Sequence, residues 1–162
     1  MTEGILPEGI ILYALTRDRA IDLWDRLKVY DALWPDETRG DVVKWVEFAL
    51  APSTLFLEET NGRAMYILSD VKEGLSANVH AVFFDHNLRS RVDLVKRLVT
   101  WAMFEFDLYR LQARIPAFAR ALRRFLFKIG FRQEGIIRDA FWFKGHLESA
   151  IIMSILRDEI GG

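Results

Sequence analysis

Between two chain breakers, Pro116 and Gly130, the residues Phe118, Ala121, Leu122, Phe125, Leu126 and Ile129 recur at i, i+3, i+4, i+7, i+8 and i+11. That spacing draws one apolar stripe down a helix, and a helix of this length holds together only when such a stripe is buried against another element. Gly130 supplies the C-terminal stop, after which Phe131 to Arg138 reads as a strand. Upstream, Arg110 to Ile115 (RLQARI) reads as a strand ended by Pro116. The second half of the chain must therefore pack helices on a sheet.

The same reading extends in both directions. Ile10 to Ala14 is a short strand, followed by a helix over Asp18 to Tyr30 with Ile21, Leu23, Trp24, Leu27 and Tyr30 on its broad apolar side. A second helix is expected from Thr38 to Leu50, carried by Val42, Val43, Trp45, Val46 and Ala49 and ended before Pro52. Three strands follow, Thr54 to Glu59, Arg63 to Val71 and Leu75 to Phe84, joined by Asn61-Gly62, a strong hairpin signal, and by Lys72-Glu73-Gly74. A polar loop, Asp85 to Arg91, leads into a helix running to Phe106, with capping-box spacing at Ser90 to Asp93 and with Val92, Val95, Val99, Ala102, Met103 and Phe106 on one face. Ser149 to Leu156 is the final strand. The crossover helix between Phe84 and Arg110 implies one parallel strand pair inside an otherwise antiparallel meander.

With 51% hydrophobic residues over 162, the chain can bury one core, and it is read as a single domain, residues 1–162. No apolar run reaches the roughly 18 residues of a membrane span, and the opening MTEGILPEG lacks the basic and apolar regions of a leader, so a cytoplasmic protein with no membrane partner is expected. The absence of cysteine excludes disulfides and thiolate catalysis, and His80, His86 and His146 lack the spacing of a helical metal site, so no metal is expected. The net charge of −1 hides an asymmetry: residues 1–81 hold 8 basic and 14 acidic side chains, residues 82–162 hold 14 and 9. Either this is uneven solvated charge, or a basic half that binds an anion faces an acidic half that receives a cation. Nothing in it argues for nucleic acid.

The element order, together with LVTWAMFEFDLYRLQARI at Leu98 to Ile115 and ALRRFLFKIGFRQEGIIRDAFWFKG at Ala121 to Gly145, resembles the GNAT acyltransferase superfamily. KIGFRQEG and the RDAFWFKG hairpin are similar to the ribosomal-protein N-terminal acetyltransferase branch. The resemblance implies an α/β GNAT fold, a mixed, mostly antiparallel sheet flanked by helices. It implies an acyl-CoA-dependent N-acyltransferase, with acetyl-CoA as cosubstrate and an amine, such as a protein N-terminus, as acceptor. A monomer or homodimer is expected.

It also implies where the cofactor would lie. The diphosphate would meet Asn87, Leu88, Arg89, Ser90, Arg91 and Val92 at the entrance to a helix, where N–H groups and the helix dipole favour anions. The pantetheine arm would pair with backbone at Val82, Phe83 and Phe84, and Arg120 and Arg124 would approach the adenosine 3′-phosphate. Family members usually show Q/R-x-x-G-x-G/A in this loop, whereas HNLRSRV has no glycine. Arg89 and Arg91 either replace the glycine-exposed backbone with charge-assisted bonds while Ser90 caps the helix, or are two exposed loop arginines. Ala119 and Leu122 stand where the branch places Asn and Ser, and Leu126 where many members place a tyrosine acid.

For the base, His80 on the central strand is either a proton acceptor or a hydrogen-bonded packing residue. Glu58 and Glu59 alternate faces, so that one points into the cleft as a base or both are solvated at the strand end. Trp34, Trp45, Trp101 and Trp142 read either as core or as a surface for a partner or for stacking bases, and Trp142, in the hairpin, as a substrate contact. Three functions stay open: an amine acyltransferase, a GNAT-fold binding or structural module, and an enzyme using another acyl donor such as an aminoacyl carrier.

Overall fold

A computed structural model describes residues 5–30 and 33–161; Met1–Gly4, the start of the segment read for a leader, lie outside them. The elements are β1 (Ile10–Tyr13), α1 (Arg17–Leu27), α2 (Val42–Ala49), β2 (Leu55–Glu59), β3 (Ala64–Lys72), β4 (Ser76–Phe83), α3 (Val92–Glu105), β5 (Arg110–Pro116), α4 (Arg120–Ile129), β6 (Arg132–Phe143) and β7 (His146–Leu156). They build the expected mixed α/β fold, a seven-stranded sheet in the order β1-β2-β3-β4-β5-β7-β6, flanked by four helices. Every neighbour is antiparallel except β4 and β5, the pair joined through α3. Among the described residues, no helix is long and apolar enough to cross a membrane.

The period-two alternation of the strands splits the core into two layers. On one face Phe56, Met65, Ile67 and Val82 pack under α1 and α2 with Leu23, Trp24, Leu27, Trp45 and Val46. The Trp45 indole N–H is buried there and donates to the Ala20 carbonyl at 2.7 Å. On the other face Leu57, Tyr66, Leu68, Leu111, Ala113, Ile115, Ile151 and Met153 pack under α3 and α4, whose stripe contributes Phe125, Leu126 and Ile129. Gly130 ends α4 at φ +122°, a backbone region that only glycine enters cheaply, and the chain turns there into β6.

Several boundaries move, each for a local reason. α2 begins at Val42, not Thr38, because the Asp41 carboxylate caps it by accepting from the Lys44 N–H at 3.1 Å. α1 ends at Leu27, three residues short of Tyr30. The β6–β7 hairpin runs well beyond the expected Arg138 and Ser149, reaching Phe143 and His146. An irregularity between Ile137 and Phe141, with Asp139 at φ +47°, breaks the alternation that makes a strand visible in sequence.

One departure from a continuous sheet positions everything that follows. β4 and β5 pair only at Ser76–Arg110, Ala77–Leu111 and Asn78–Gln112. β4 then continues with β3 as far as Phe83–Ala64, while β5 continues with β7 as far as Pro116–Ala150. The two strands therefore part in the middle of the sheet.

Candidate active site: a split sheet and a basic pocket

The parting of β4 from β5 opens a cavity of about 600 Å³ that reaches through the sheet. Below it are α3 and α4 side chains such as Val95, Leu98, Val99 and Leu122; above it are Leu33, Glu37, Ala140 and Phe141. The lining is mostly apolar, and its titratable members among the described residues are Glu37, Tyr66, His80 and Arg114.

Backbone polarity in this opening follows from register. Tyr109 and Arg110 N–H groups donate to the Leu75 carbonyl just before β4, whereas the Phe84 N–H just after β4 donates to the carbonyl of Arg63, the residue before β3. Odd-numbered β4 residues thus turn their backbone groups to the β5 side and even-numbered ones to β3. Ala81 lies beyond the last β4–β5 rung, so its N–H and C=O face the opening with no strand opposite. This corrects the expectation for Val82 and Phe84, since Val82 pairs with Met65 and the Phe84 N–H is taken by the Arg63 carbonyl; Phe83, odd-numbered like Ala81, lines the cavity, and its carbonyl accepts from the His86 N–H at 3.1 Å. The backbone that faces the opening is that of Ala81 and Phe83.

His80 stands on the upper face of β4 with its ring open to the cavity. Its Nε2 lies 2.8 Å from Ser69 Oγ, and Phe48 meets the ring edge-on at 5.6 Å. The ring keeps access to solvent through the opening, but the protein packed around it desolvates the imidazole and lowers its pKa below the ordinary 6.5, which favours the neutral form at neutral pH. In the tautomer that donates Nε2–H to Ser69, Nδ1 keeps a lone pair for a proton.

Neither glutamate is solvated at a strand end. Glu58 turns to the α1 side, accepting from Tyr13 Oη at 3.1 Å and from Arg26 at 3.2 Å. Desolvation, then the Glu58 charge, pushes the Tyr13 phenol up to about 12. Glu59 turns to the opposite face and is buried with Arg91: Nε meets its two oxygens at 2.6 and 3.3 Å and Nη2 donates at 3.0 Å. Tyr66 adds a hydroxyl donor to Glu59 at 3.2 Å; burial first, then the carboxylate charge, raises the Tyr66 pKa. Glu59 is therefore a structural anion, and the expectation of a cleft-facing base at this position is corrected.

Arg91 is corrected with it. Its remaining donors go to Asp85 at 2.7 and 2.9 Å and to the Asn87 carbonyl at 2.6 Å, so every guanidinium N–H is used and only 5% of the residue is exposed. Two carboxylates hold its charge, and the Arg91 bond in turn lowers the Asp85 pKa to about 2. Ser90 does not cap the helix. No side chain caps α3; the Asn87 side chain braces the loop before it, accepting from the Ser90 N–H at 3.2 Å, while Asp85 accepts from the Asn87 N–H at 3.0 Å. Among the described residues the Leu88 and Arg89 N–H groups have no acceptor.

Those two residues open onto a second, smaller cavity of about 220 Å³, lined by Leu88, Arg89, Val92, Ala121, Arg124, Phe125 and Lys128. Three cations from the loop and from α4 converge there. Arg120 lies outside the lining; its carbonyl accepts from Arg124 Nε at 3.5 Å. The Trp142 side chain, 48% exposed, is also outside the large cavity, where its neighbour Phe141 takes the place expected of it. The Trp142 backbone instead fixes the roof: its carbonyl accepts from the Asp36 N–H at 2.8 Å, and the Asp36 carboxylate accepts from the Lys144 and Gly145 N–H groups at 2.8 and 3.0 Å. The latter bonds, Gly145's foremost, hold the Asp36 pKa below its usual 3.8. Glu37, Tyr66, Arg114 and Phe141 escape sequence reasoning, since strand register and loop docking, not spacing, bring them here, whereas Lys128 follows Arg124 by one turn on the polar face of α4.

A mixed sheet that parts between its parallel strands, with a crossover helix starting below the gap beside a basic pocket, is the GNAT fold of the N-acetyltransferases. Three solved structures make the likeness concrete. The spermidine N-acetyltransferase SpeG K23-Q34 chimera from Vibrio cholerae and hSSAT superposes with a TM-score of 0.75 at 14% identity, over 94% of this chain and 98% of that one. Spermidine N-acetyltransferase from Vibrio cholerae in complex with CoA and spermine gives 0.74 at 13% identity, over 96% and 100%. A probable acetyltransferase gives 0.69 at 18% identity, over 95% and 96%. At such identities the likeness is one of fold. No protein-family model and no curated protein matches the sequence.

Proposed function

We propose that the chain is an acyl-CoA-dependent N-acyltransferase, with acetyl-CoA as donor and an amine, a protein N-terminus among the candidates, as acceptor. The parted β4 and β5 carry this reading: an apolar passage through the sheet, next to a pocket of three cations, suits a long thiol cofactor with a charged end. In it the Leu88 and Arg89 N–H groups, with Arg89, Arg124 and Lys128, meet the phosphates, and the pantetheine arm borrows the unpaired Ala81 backbone. The amine nitrogen attacks the thioester carbonyl. A C–N bond forms, the C–S bond breaks, the nitrogen's proton passes to His80 Nδ1 or to water, and the thiolate leaves to be protonated by solvent. Tyr66 is committed to Glu59 and supplies no such proton.

The commitment of Arg91 and the glycine-free loop favour a second reading, a GNAT-fold module without acyl transfer. Calorimetry with CoA and acetyl-CoA, alongside a thiol-release assay over a panel of amines, separates the two. Binding is expected, and Arg89→Ala and Arg124→Ala should each weaken it by about 1.5–3 kcal/mol, the worth of a charge-assisted bond. No heat and no thermal shift at millimolar CoA would overturn the enzymatic reading.

A further inference from the structure

We propose that the acceptor carries a carboxylate near its reacting amine, and that Arg114 selects it; this rests on the acyl-transfer reading above. Arg114 sits on β5 opposite Ile152, on the face away from Ala113 and Ile115, and lines the upper part of the cavity with His80. Its neighbours on that face show how unusual its state is. Arg110, two repeats away on the same face, is neutralised by Glu134 at 2.5 and 2.6 Å and bonded to Gln112 at 2.7 Å. Glu134 also accepts from the Ser154 hydroxyl, and the Arg110 bond, followed by that of Ser154, holds its pKa down to about 2. Arg114 makes no hydrogen bond or ion pair among the described residues, and its cavity neighbours Ile115, Pro116 and Ala150 have no charged side chain to offer it. A guanidinium at the mouth of a mostly apolar cavity is a ready bidentate partner for a carboxylate.

The opposite charge comes from Glu37. It is the only carboxylate on the lining among the described residues, held over the opening by the docking of Asp36 on the Lys144–Gly145 turn. With His80 neutral, the mouth carries one cation and one anion. That complements a zwitterion, the ammonium toward Glu37 and the carboxylate toward Arg114. It does not complement a polyamine, whose several cations would meet Arg114 as a like charge. The matching chemistry occurs in a free amino acid, through its α-carboxylate, and in a peptide N-terminus followed by an acidic side chain.

The experiment compares amines in pairs with the intact protein and saturating acetyl-CoA, reading thiol release. One arm sets amino acids against their carboxamides; the other sets short peptides beginning with Asp or Glu against their Asn or Gln counterparts; spermidine is included. At least one acid should exceed its amide by about tenfold or more in kcat/KM, the scale of one charge-assisted bond. Arg114→Gln should collapse that ratio toward one, with Arg114→Lys restoring part of it, and the arm that responds identifies the source of the carboxylate. The proposal is overturned if amides or spermidine react as well as the acids, if the ratio survives in Arg114→Gln, or if CoA binds by calorimetry and no acid reacts. Absence of CoA binding would instead remove the acyl-transfer reading beneath it.

Discussion

Replacing Arg91 with Met tests whether the arginine of the loop is a strut or a ligand. The side chain keeps its length and loses its charge, so Glu59, 6% exposed, is left buried with Tyr66 as its one remaining side-chain donor. Removing one partner of a buried pair costs about 3–5 kcal/mol, because the surviving charge has lost both its water and its counterion. For a chain of this size 1 kcal/mol moves the midpoint by roughly 2–4 °C, so Tm should fall by roughly 6–20 °C. The orphaned carboxylate adds a pH signature. It favours the protonated form in the folded state more than in the unfolded one, so the variant's deficit should shrink as pH is lowered from about 7.5 to about 5. The double variant Arg91→Met/Glu59→Gln should recover at least half of the loss, since the isolated charge is gone. Thermal denaturation followed by circular dichroism at both pH values reads all three quantities. A single variant that melts within a degree or so of the parent would refute the strut and return Arg91 to the list of candidate phosphate ligands.

If His80 accepts the amine proton, the acid limb of the kcat/KM profile should have its midpoint below 6.5, since burial lowers the imidazole pKa; activity is lost as pH falls through that value and the proton blocks Nδ1. His80→Gln should remove the limb, and a limb above 6.5 that persists in the variant would exclude the role. A Cβ at Gly130 would sit 3.2 Å from Ile155 Cδ1 on a backbone held at φ +122°, so Gly130→Ala should lower the urea midpoint by an amount equivalent to about 1–3 kcal/mol with the m-value unchanged.

What was legible in the sequence was whatever has a period. The α4 stripe, the Asn61-Gly62 hairpin and the crossover helix each announce themselves over a few residues, and together they imply the parallel β4–β5 pair at the centre of the fold. Arg89 and Arg124 were legible for the same reason, one in a polar loop entering a helix and the other on the polar face of an amphipathic one. Arg91 was not. Its loop is as polar as any solvent-exposed turn, and its burial is created by Glu59, 32 residues earlier on the sheet face to which α3 packs. Alternation does say that Glu58 and Glu59 part company; it cannot say that one of them is waiting for an arginine.

On the acyl-transfer reading, that buried pair also gives a physical account of how a loop without glycine could serve an anion. A glycine-rich loop lets an anion approach because no side chain intervenes, and its backbone must then be held in place by something else. Here Arg91 anchors the loop from beneath through Glu59, Asp85 and the Asn87 carbonyl, and Asn87 takes the Ser90 N–H that a ligand would otherwise receive. The helix entrance is rigid but presents fewer free N–H groups, those of Leu88 and Arg89. The charge that backbone alone would supply is moved outward to side chains, with Arg89 on one wall and Arg124 and Lys128 of α4 on the other. An anion held this way depends more on salt than one cradled by amides, because exposed cations are screened and a helix entrance is less so. On that reading, the pocket's affinity for an anion should fall steeply as ionic strength rises.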